Sequence, residues 1–146
     1  MEDLDLKIVR LLAADGRMSF TDLGKATGLS TSAVHQRVKR LEQRGVIRGY
    51  AAQVDFDQLD LPLTAFISIR PMDPSQPDDS PDRLRDFTEI ESCWSVAGDE
   101  SYILKVRVPT PLGLEDLLAR IRGAANVSTR TTIVLSTPYE NRPATG

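Results

Sequence analysis

The chain has 146 residues, of which 40% are hydrophobic and 27% charged, a composition typical of a soluble globular protein. No apolar run approaches the roughly 20 residues that cross a bilayer, and the acidic, amphipathic N-terminus is unlike a secretory signal, so a cytoplasmic protein is expected. The single cysteine, Cys93, cannot form an internal disulfide, and one cysteine with one histidine excludes an ordinary zinc site.

Basic residues are concentrated in the first third of the chain, although the formal net charge is −3. Residues 1–50 hold 9 Lys and Arg against 6 Asp and Glu, a net +3, whereas residues 51–146 hold 9 against 15, a net −6. A basic patch on an otherwise acidic chain predicts an electrostatic footprint for nucleic acid, with a solvated helix face as the alternative.

Aliphatic side chains recur at helical spacing near the N-terminus, at Leu4, Ile8, Leu11 and Leu12. This spacing predicts a helix over 4–14 that stops at Gly16, because glycine enters the left-handed conformation without a Cβ clash. A second helix is predicted from a Ser19 cap, with an acidic residue three positions later, to about Thr27.

A tight turn is predicted next, in which Gly28 bends the chain, Leu29 enters the core and Ser30 caps a third helix over 31–44. The buried face of that helix is a narrow aliphatic stripe formed by Val34, Val38 and Leu41. The opposite face is rich in hydrogen-bond donors. Two short helices joined by a glycine-containing turn, the second of them basic, are typical of a helix-turn-helix motif.

The exposed face of the third predicted helix carries residue types that contact DNA. Residues near the start of a helix in the major groove reach base edges, so Ser32, His35 and Gln36 are candidate base readers, although His35 could equally be a merely exposed polar residue. Arg37 lies beside the aliphatic stripe and either braces the fold or contacts the DNA backbone. Candidate phosphate contacts are Lys39, Arg40 and Arg44. The complete set of candidate DNA-binding residues is Ser30, Thr31, Ser32, His35, Gln36, Arg37, Lys39, Arg40, Arg44 and Arg48.

Two short strands around a turn are predicted after the third helix, over 46–50 and 51–55. They would form the wing of a winged helix-turn-helix, with Arg48 placed for the DNA backbone, or they simply connect to a second domain; both can hold. The predicted organisation is a helix-turn-helix domain at 1–50, a strand or linker at 51–62, a second domain at 63–138 and a polar tail at 139–146.

Apolar residues alternate in the next segment, which predicts a strand with one face formed by Leu63, Ala65, Ile67 and Ile69. An acidic, proline-rich surface loop is predicted over 71–81, ending in a Ser80 cap with Pro81 at the first helical position. A helix is then predicted from the spacing of Leu84, Phe87 and Ile90.

The remaining segments complete an α+β domain. They are a strand at 92–97, a turn at 98–100, a strand at 102–108, an amphipathic helix at 114–121 and a last strand at 131–135. The order β-α-β-β-α-β is that of the ferredoxin-like split unit. Its two helices cover only one face of the sheet, so dimerisation through the other face is expected.

The acidic turn Gly98, Asp99 and Glu100 lies between two predicted strands. Exposed backbone N–H groups could bind the carboxylate of a zwitterion and the acidic side chains its ammonium group; a plain hairpin turn is the alternative. Cys93 and Trp94 are interpreted as sheet packing. No phosphate-cradling loop, Cys/His pair or metal cluster is present in the sequence, so neither catalytic residues nor metal ligands are predicted and an enzyme is not expected.

In combination, residues 15–19, 28–30, 37–42 and 45–55, together with 96–102 in the second domain, resemble the Lrp/AsnC family of leucine-responsive or feast/famine transcriptional regulators. The resemblance covers nearly the whole chain. It implies an N-terminal (winged) helix-turn-helix followed by a ferredoxin-like sensor domain, and a homodimer formed through the sheet that often assembles into octamers of four dimers. No cofactor and no membrane partner are implied.

The resemblance further implies sequence-specific binding to double-stranded DNA, control of amino-acid-metabolism genes and modulation by an amino-acid effector near the acidic turn. Carried over by position, the candidate effector-binding residues are Gly98, Asp99, Glu100, Tyr102, Thr131 and Thr132. The loop over 72–80 is longer and more acidic than is usual in the family, so the effector preference of relatives does not transfer. Two alternatives are a non-specific protein that organises DNA or binds RNA, and a regulatory subunit of an amino-acid-metabolism enzyme.

Overall fold

The computed structural model describes residues 1–143, which form two compact units. One unit comprises Met1–Gln53 together with the C-terminal segment that starts at Pro138, and the other comprises Val54–Thr137. The last three residues of the predicted polar tail, 144–146, lie outside the described residues. No helix among the described residues is both long and apolar enough to cross a membrane.

The N-terminal unit is built from three helices, α1 (Asp3–Ala14), α2 (Phe20–Thr27) and α3 (Thr31–Gln43). The three predicted helices are therefore confirmed, with ends that differ by one residue at most. The predicted stop at Gly16 is wrong in its conformation, because α1 is capped by an extended Asp15 and Gly16 has no positive φ. One apolar core holds them together, and it consists of Ile8, Leu12, Leu23, Val34, Val38 and Leu41. The aliphatic stripe predicted for α3 is buried in this core.

Both serine caps form as predicted. Ser19 Oγ accepts the backbone N–H of Asp22 at 3.0 Å, and Ser30 Oγ accepts that of Ala33 at 3.2 Å. Between α2 and α3, Gly28 has a φ of 75°, in the left-handed region that glycine adopts at little cost. Local chemistry thus determines where α2 and α3 begin and how the chain turns between them.

Gly24 lies inside α2, where glycine is unfavourable relative to alanine. The structure explains its presence, because a Cβ atom at this position would lie only 2.6 Å from the carbonyl oxygen of Leu29. The backbone N–H of Leu29 also donates to the Gly24 carbonyl at 3.1 Å. The close approach of the turn to α2 therefore depends on the absence of a side chain.

The two strands predicted over 46–50 and 51–55 are wrong, because these residues lie in no strand. Gly45 turns the chain with a φ of 74°, and the backbone N–H groups of Val46 and Ile47 both donate to the Leu41 carbonyl at the end of α3. These two N–H groups, which in a strand would donate to a neighbouring strand, are therefore already bonded to the end of α3. A wing is not formed within the described residues.

The second unit is a four-stranded antiparallel sheet with two helices. Its elements are β1 (Leu63–Pro71), α4 (Ser80–Arg83), β2 (Ile90–Ser95), β3 (Tyr102–Val108), α5 (Pro111–Ala125) and β4 (Val127–Ile133). The strand order across the sheet is β2-β3-β1-β4. The predicted β-α-β-β-α-β order and the α+β fold class are confirmed.

Alternation along the strands separates the two faces of this sheet. On one face, Ile67 of β1 pairs with Leu104 of β3, and both are buried beneath Leu117 and Ile121 of α5. The other face, here called the open face, is formed in β1 and β3 by Thr64, Phe66, Ser68, Ile103, Lys105 and Arg107. Because α5 packs on the first face, the open face is the side of the sheet from which a ligand or another chain can approach.

The predicted helix through Leu84, Phe87 and Ile90 is wrong beyond its first turn, since α4 ends at Arg83. The Phe87 N–H donates to the Leu84 carbonyl and the Ile90 N–H to the Phe87 carbonyl, both at 3.1 Å. Two successive four-residue turns therefore place the three apolar side chains on one side, as a helix would. Apolar spacing alone cannot distinguish these two backbones.

Smaller boundary predictions also need correction. The helix begins at Ser80, so Asp79 is its N-cap and Pro81 its second residue. Strand β2 begins at residue 90, two residues earlier than predicted, and β4 covers Val127–Ile133 instead of 131–135. Leu135 lies beyond the strand and is 96% exposed. Its apolar character does not reflect a core position.

Candidate nucleic-acid interface and effector pocket

Helix α3 presents two chemically distinct faces. Val34, Val38 and Leu41 are at most 2% exposed, which fixes which side of the helix meets water. The solvent side carries donors and cations along its whole length: Thr31, Ser32, His35, Gln36, Lys39 and Arg40. A rigid helix with a donor-rich exposed face fits the major groove of DNA in shape and hydrogen-bonding capacity.

Side chains in the first two turns of this exposed face differ in the hydrogen bonds and ring contacts that they already make within the unit. The hydroxyl of Ser30 caps the helix and lies 3.4 Å from that of Ser32. His35 makes an edge-to-face contact with Phe20, with ring centroids 5.4 Å apart, which orients the imidazole on the flank of the helix. Within the described chain, Gln36 forms no side-chain hydrogen bond, so both ends of its amide are available.

The four arginines predicted to contact DNA are not equivalent. Arg37 Nη1 donates to Glu2 at 2.8 Å and to Asp5 at 3.1 Å, and only 23% of its side chain is exposed. These hydrogen bonds raise the pKa of the Arg37 guanidinium, so it stays charged. Of the two roles left open for this residue, the geometry supports the brace. Arg44 and Arg48 are exposed.

In the second unit, residues 96–101 connect β2 to β3, and the bend at 97–101 includes the predicted acidic turn. The Ser101 N–H donates to the Ile69 carbonyl at 2.9 Å, which ties the turn to the end of β1. Arg70 adds a bidentate contact, because its Nε and Nη2 both donate to the Asp99 carbonyl, at 2.9 and 2.7 Å. Two neighbouring residues of β1, Ile69 and Arg70, therefore hold the turn in place.

A cavity of about 250 Å³ lies beside this turn. All its lining residues are polar: Ser68, Arg70, Asp99, Glu100, Ser128, Thr129 and Arg130. Arg130 Nη1 lies 3.7 Å from Glu100 Oε1. Two guanidinium groups and two carboxylates give the wall no net formal charge. Such a wall can bind both ends of a zwitterion, the cations meeting its carboxylate and the anions its ammonium group.

The structure separates the six predicted effector residues. Asp99 and Glu100 line the cavity, and Gly98 precedes them in the turn. Tyr102 lies elsewhere, with its hydroxyl 3.5 Å from the Asp78 carbonyl. The register places Thr131 opposite Ile67 on the helix-covered face and Thr132 opposite Phe66 on the open face, so the two threonines point to opposite sides of the sheet.

Five cavity residues were missed by sequence reasoning, namely Ser68, Arg70, Ser128, Thr129 and Arg130. Pairing between β1 and β4 brings them together, with Ser68 opposite Arg130 and Arg70 opposite Ser128. The alternating polar positions of β1 were a usable signal for this face of the sheet. The register that joins β1 to β4 was not visible in the sequence.

A larger cavity, of about 490 Å³, lies near β2 and is lined by Leu84, Phe87, Cys93, Tyr102 and neighbouring residues. The Cys93 side chain is accessible, yet partial burial raises the pKa of its thiol. A neutral thiol is a poor nucleophile, which argues for packing over chemistry. Trp94 stacks against Phe66 on the open face, with centroids 6.4 Å apart. Among residues 1–143, no group of three or more His, Cys, Asp or Glu side chains is arranged to hold a metal ion.

The chain belongs to the Lrp/AsnC family of helix-turn-helix transcriptional regulators, as its sequence resemblance predicted. Residues 1–42 match the AsnC-type helix-turn-helix domain, and residues 64–144 match the Lrp/AsnC ligand binding domain. The first matched segment contains all of α3 except its last residue, and the second contains every residue that lines the turn cavity.

Individual relatives agree with this assignment. The HTH-type transcriptional regulator LrpA of Mycobacterium tuberculosis is 54% identical over 142 residues, covering 97% of this chain and 95% of that protein. The leucine-responsive regulatory protein of Escherichia coli is 34% identical and covers 92% of this chain and 85% of its own length. A feast or famine regulatory protein from M. tuberculosis complexed with L-methionine has a TM-score of 0.97 at 53% identity, with 99% of each chain covered.

Proposed function

We propose that α3 reads a specific DNA sequence in the major groove and that an amino acid bound at the 97–101 turn modulates this binding. The observation that carries the first part is the donor-rich exposed face of a helix whose opposite face is fully buried. The second part rests on the small, wholly polar cavity with balanced charges. The chain acts in the cytoplasm as a regulator of amino-acid-metabolism genes and catalyses no reaction.

On DNA, the residues of the first two turns of α3 read bases. Gln36 is the principal reader, because a free side-chain amide can pair bidentately with adenine, while Thr31, Ser32 and His35 contact neighbouring groups. Ser30 serves first as the cap of the helix. Basic residues beyond this segment bind phosphates, and these are Lys39, Arg40, Arg44 and Arg48. Phosphate contacts set affinity and register, whereas base contacts set specificity.

In the sensor unit, Asp99 and Glu100 bind the effector's ammonium group. Arg130 binds its carboxylate together with the hydroxyls of Ser68 and Ser128, which lie on the same face of the sheet. The complex of a 53%-identical relative with L-methionine supports an amino acid as the ligand class. Gly98 leaves the approach to the turn open, since no atom lies within 4 Å of where its Cβ would be.

A homodimer forms through the open face of the sheet. Trp94 is 47% exposed there and stacks on Phe66, an arrangement that leaves apolar surface in water unless a second chain covers it. Four such dimers would make the octamer that the family resemblance implies.

The DNA-reading proposal is tested by selecting duplexes from a random library and footprinting the selected site. Gln36→Ala is expected to cost about 1–3 kcal/mol at one base position and to relax specificity there. The matched Arg40→Ala variant should weaken binding equally on all sequences. Uniform weakening by Gln36→Ala would contradict the base-reading role. Equal binding of the wild-type chain to every duplex would instead favour the non-specific DNA-organising function.

The effector proposal is tested by calorimetric titration with L-methionine and with the other common amino acids. Glu100→Gln removes one anion from the cavity wall and should weaken binding of the preferred amino acid about tenfold or more, as expected when a charged hydrogen bond is lost. Glu115→Gln makes the same change at an exposed position of α5 and serves as the control. Equal affinities of the two variants would exclude the turn from the site.

A further inference from the structure

A buried carboxylate joins α1 to α3. Asp5, in the first turn of α1, is only 4% exposed. Its Oδ1 accepts Arg37 Nη1 at 3.1 Å, and its Oδ2 lies 3.8 Å from Arg40 Nη2. Glu2 provides a second carboxylate for Arg37 at 2.8 Å. Acidic side chains are almost never fully buried unless they are paired, so Asp5 requires its arginine partners.

The two arginines use this carboxylate differently. Arg37 is bonded to two acids and is 23% exposed, so its charge is satisfied within the unit. Arg40 stands one helical turn later, is 46% exposed and touches Asp5 with one edge of its guanidinium. The remaining donors of Arg40 are available to a phosphate.

The contacts of Asp5 with Arg37 and Arg40 restrict a motion that the apolar core permits, the rotation of α1 against α3. The hydrophobic contacts that hold α1 against α3 are non-directional and tolerate small rotations of one helix against the other. A charge-assisted hydrogen bond from Arg37 and an ion pair from Arg40, on consecutive turns of α3, join one carboxylate of α1 and so favour a single orientation. The orientation of α3 determines which side chains reach the DNA bases.

We propose that Asp5 is a positioning residue for DNA recognition, which ties Arg37 and Arg40 to α1 so that Arg37 acts as an internal strut and Arg40 as an oriented phosphate contact. This inference rests on the proposed DNA-reading role of α3. It assigns to α1 a part in sequence specificity, although Asp5 itself touches no DNA.

The salt dependence of binding separates a strut from a phosphate contact. Dissociation constants are measured across a range of KCl concentrations, for a duplex selected by the wild-type chain and for a scrambled duplex of the same composition. Arg40→Gln should reduce the slope of log affinity against log salt by about 0.9, the value for one phosphate contact. Arg37→Gln, the same change one turn earlier, should leave that slope unchanged and lower the selected-to-scrambled affinity ratio by about tenfold. A loss of slope in Arg37→Gln equal to that in Arg40→Gln would overturn the inference.

Asp5→Asn tests the carboxylate itself, because it keeps the size of the side chain and removes its charge. The affinity ratio should fall without any loss of slope, since both arginines keep their charge. Glu2→Gln is the exposed control and should leave the ratio within about twofold of wild type, because a surface ion pair contributes little. An unchanged ratio in Asp5→Asn would refute the positioning role.

The ratio of affinities for the selected and scrambled duplexes distinguishes a variant that is partly unfolded from one in which α3 is folded but misoriented. A variant that is only partly folded loses affinity for both duplexes in the same proportion, so an unchanged ratio with weaker binding would show a merely structural role and refute the inference. Arg37→Lys, which retains one charge near Asp5, should recover part of the ratio lost in Arg37→Gln. If the wild-type chain itself binds both duplexes equally, the proposed sequence-specific function fails first, and the positioning role fails with it.

Discussion

Gly28→Ala isolates the backbone cost of the turn between α2 and α3. Gly28 has a φ of 75°, and no atom lies within 4 Å of the position that an added Cβ would take. The new methyl group therefore meets no neighbour, and the strain comes only from placing an L-residue in the left-handed region. The perturbation is small, local and free of changes in core packing.

The expected magnitude follows from a comparison of two glycines in the same unit. The left-handed conformation costs a residue with a Cβ about 1–2 kcal/mol. Gly49 has neither a positive φ nor an atom within 4 Å of its would-be Cβ, so Gly49→Ala carries no such cost. Both substitutions restrict the unfolded chain similarly. The difference in unfolding free energy between the two variants should therefore be about 1–2 kcal/mol, with Gly28→Ala the less stable.

Native-state hydrogen exchange, read by mass spectrometry on peptides from residues 19–43, measures the opening free energy of α2 and α3 directly. Peptides from the second unit provide an internal reference, because the substitution lies in the first unit. A difference in opening free energy of less than about 0.3 kcal/mol between the two alanine variants would be too small for a left-handed residue. That result would refute the assigned turn conformation.

Three further predictions concern the second unit. Leu117→Ala should lower the unfolding free energy of that unit by about 2–5 kcal/mol in urea denaturation, because the side chain is 0% exposed, whereas Leu112→Ala, at 77% exposure, should change it by less than about 0.5 kcal/mol. The Arg120 guanidinium lowers the pKa of Glu89 below its ordinary value of 4.5, so the ion pair stabilises the folded state above that pH and is lost as the pH falls through the lowered pKa. Glu89→Gln should therefore destabilise the unit at pH 7 and make no difference near the acid limit of folding; an equal loss at both pH values would contradict the ion pair. Burial raises the pKa of the Cys93 thiol above 9.0, so its alkylation by iodoacetamide should reach half its maximal rate at a pH above 9.0. A half-maximal rate near pH 7 would instead show a thiol whose pKa is lowered, as in a reactive cysteine.

Features encoded by neighbouring residues were predictable from the sequence. The serine caps, the glycine turn and the 3.6-residue spacing of apolar side chains located α1, α2 and α3 to within a residue, since each signal depends on hydrogen bonds or contacts a few positions away. Alternation identified β1 and β3 for the same reason, and the order of elements then defined the fold class.

Predictions from similar local patterns were wrong where two different backbone conformations are compatible with the same pattern. A three-residue spacing at Leu84, Phe87 and Ile90 suits either a helix or successive turns, and the chain adopts turns. Residues 46–55 have strand-forming side chains, but a strand also needs a hydrogen-bonded neighbour, and the donors of Val46 and Ile47 bind the end of α3 instead.

By itself, the sequence determined the helix-turn-helix, the ferredoxin-like order and the acidic turn at 98–100. Only the tertiary structure decided which groups share a site: Arg70 and Ser128, 58 residues apart in the chain, meet across the β1–β4 pairing beside that turn. It likewise decided that Arg37 faces Asp5, a residue 32 positions away. Secondary structure follows from interactions between near neighbours, whereas strand register and ion-pair partners depend on the free energy of packing the whole unit, which a local pattern does not contain.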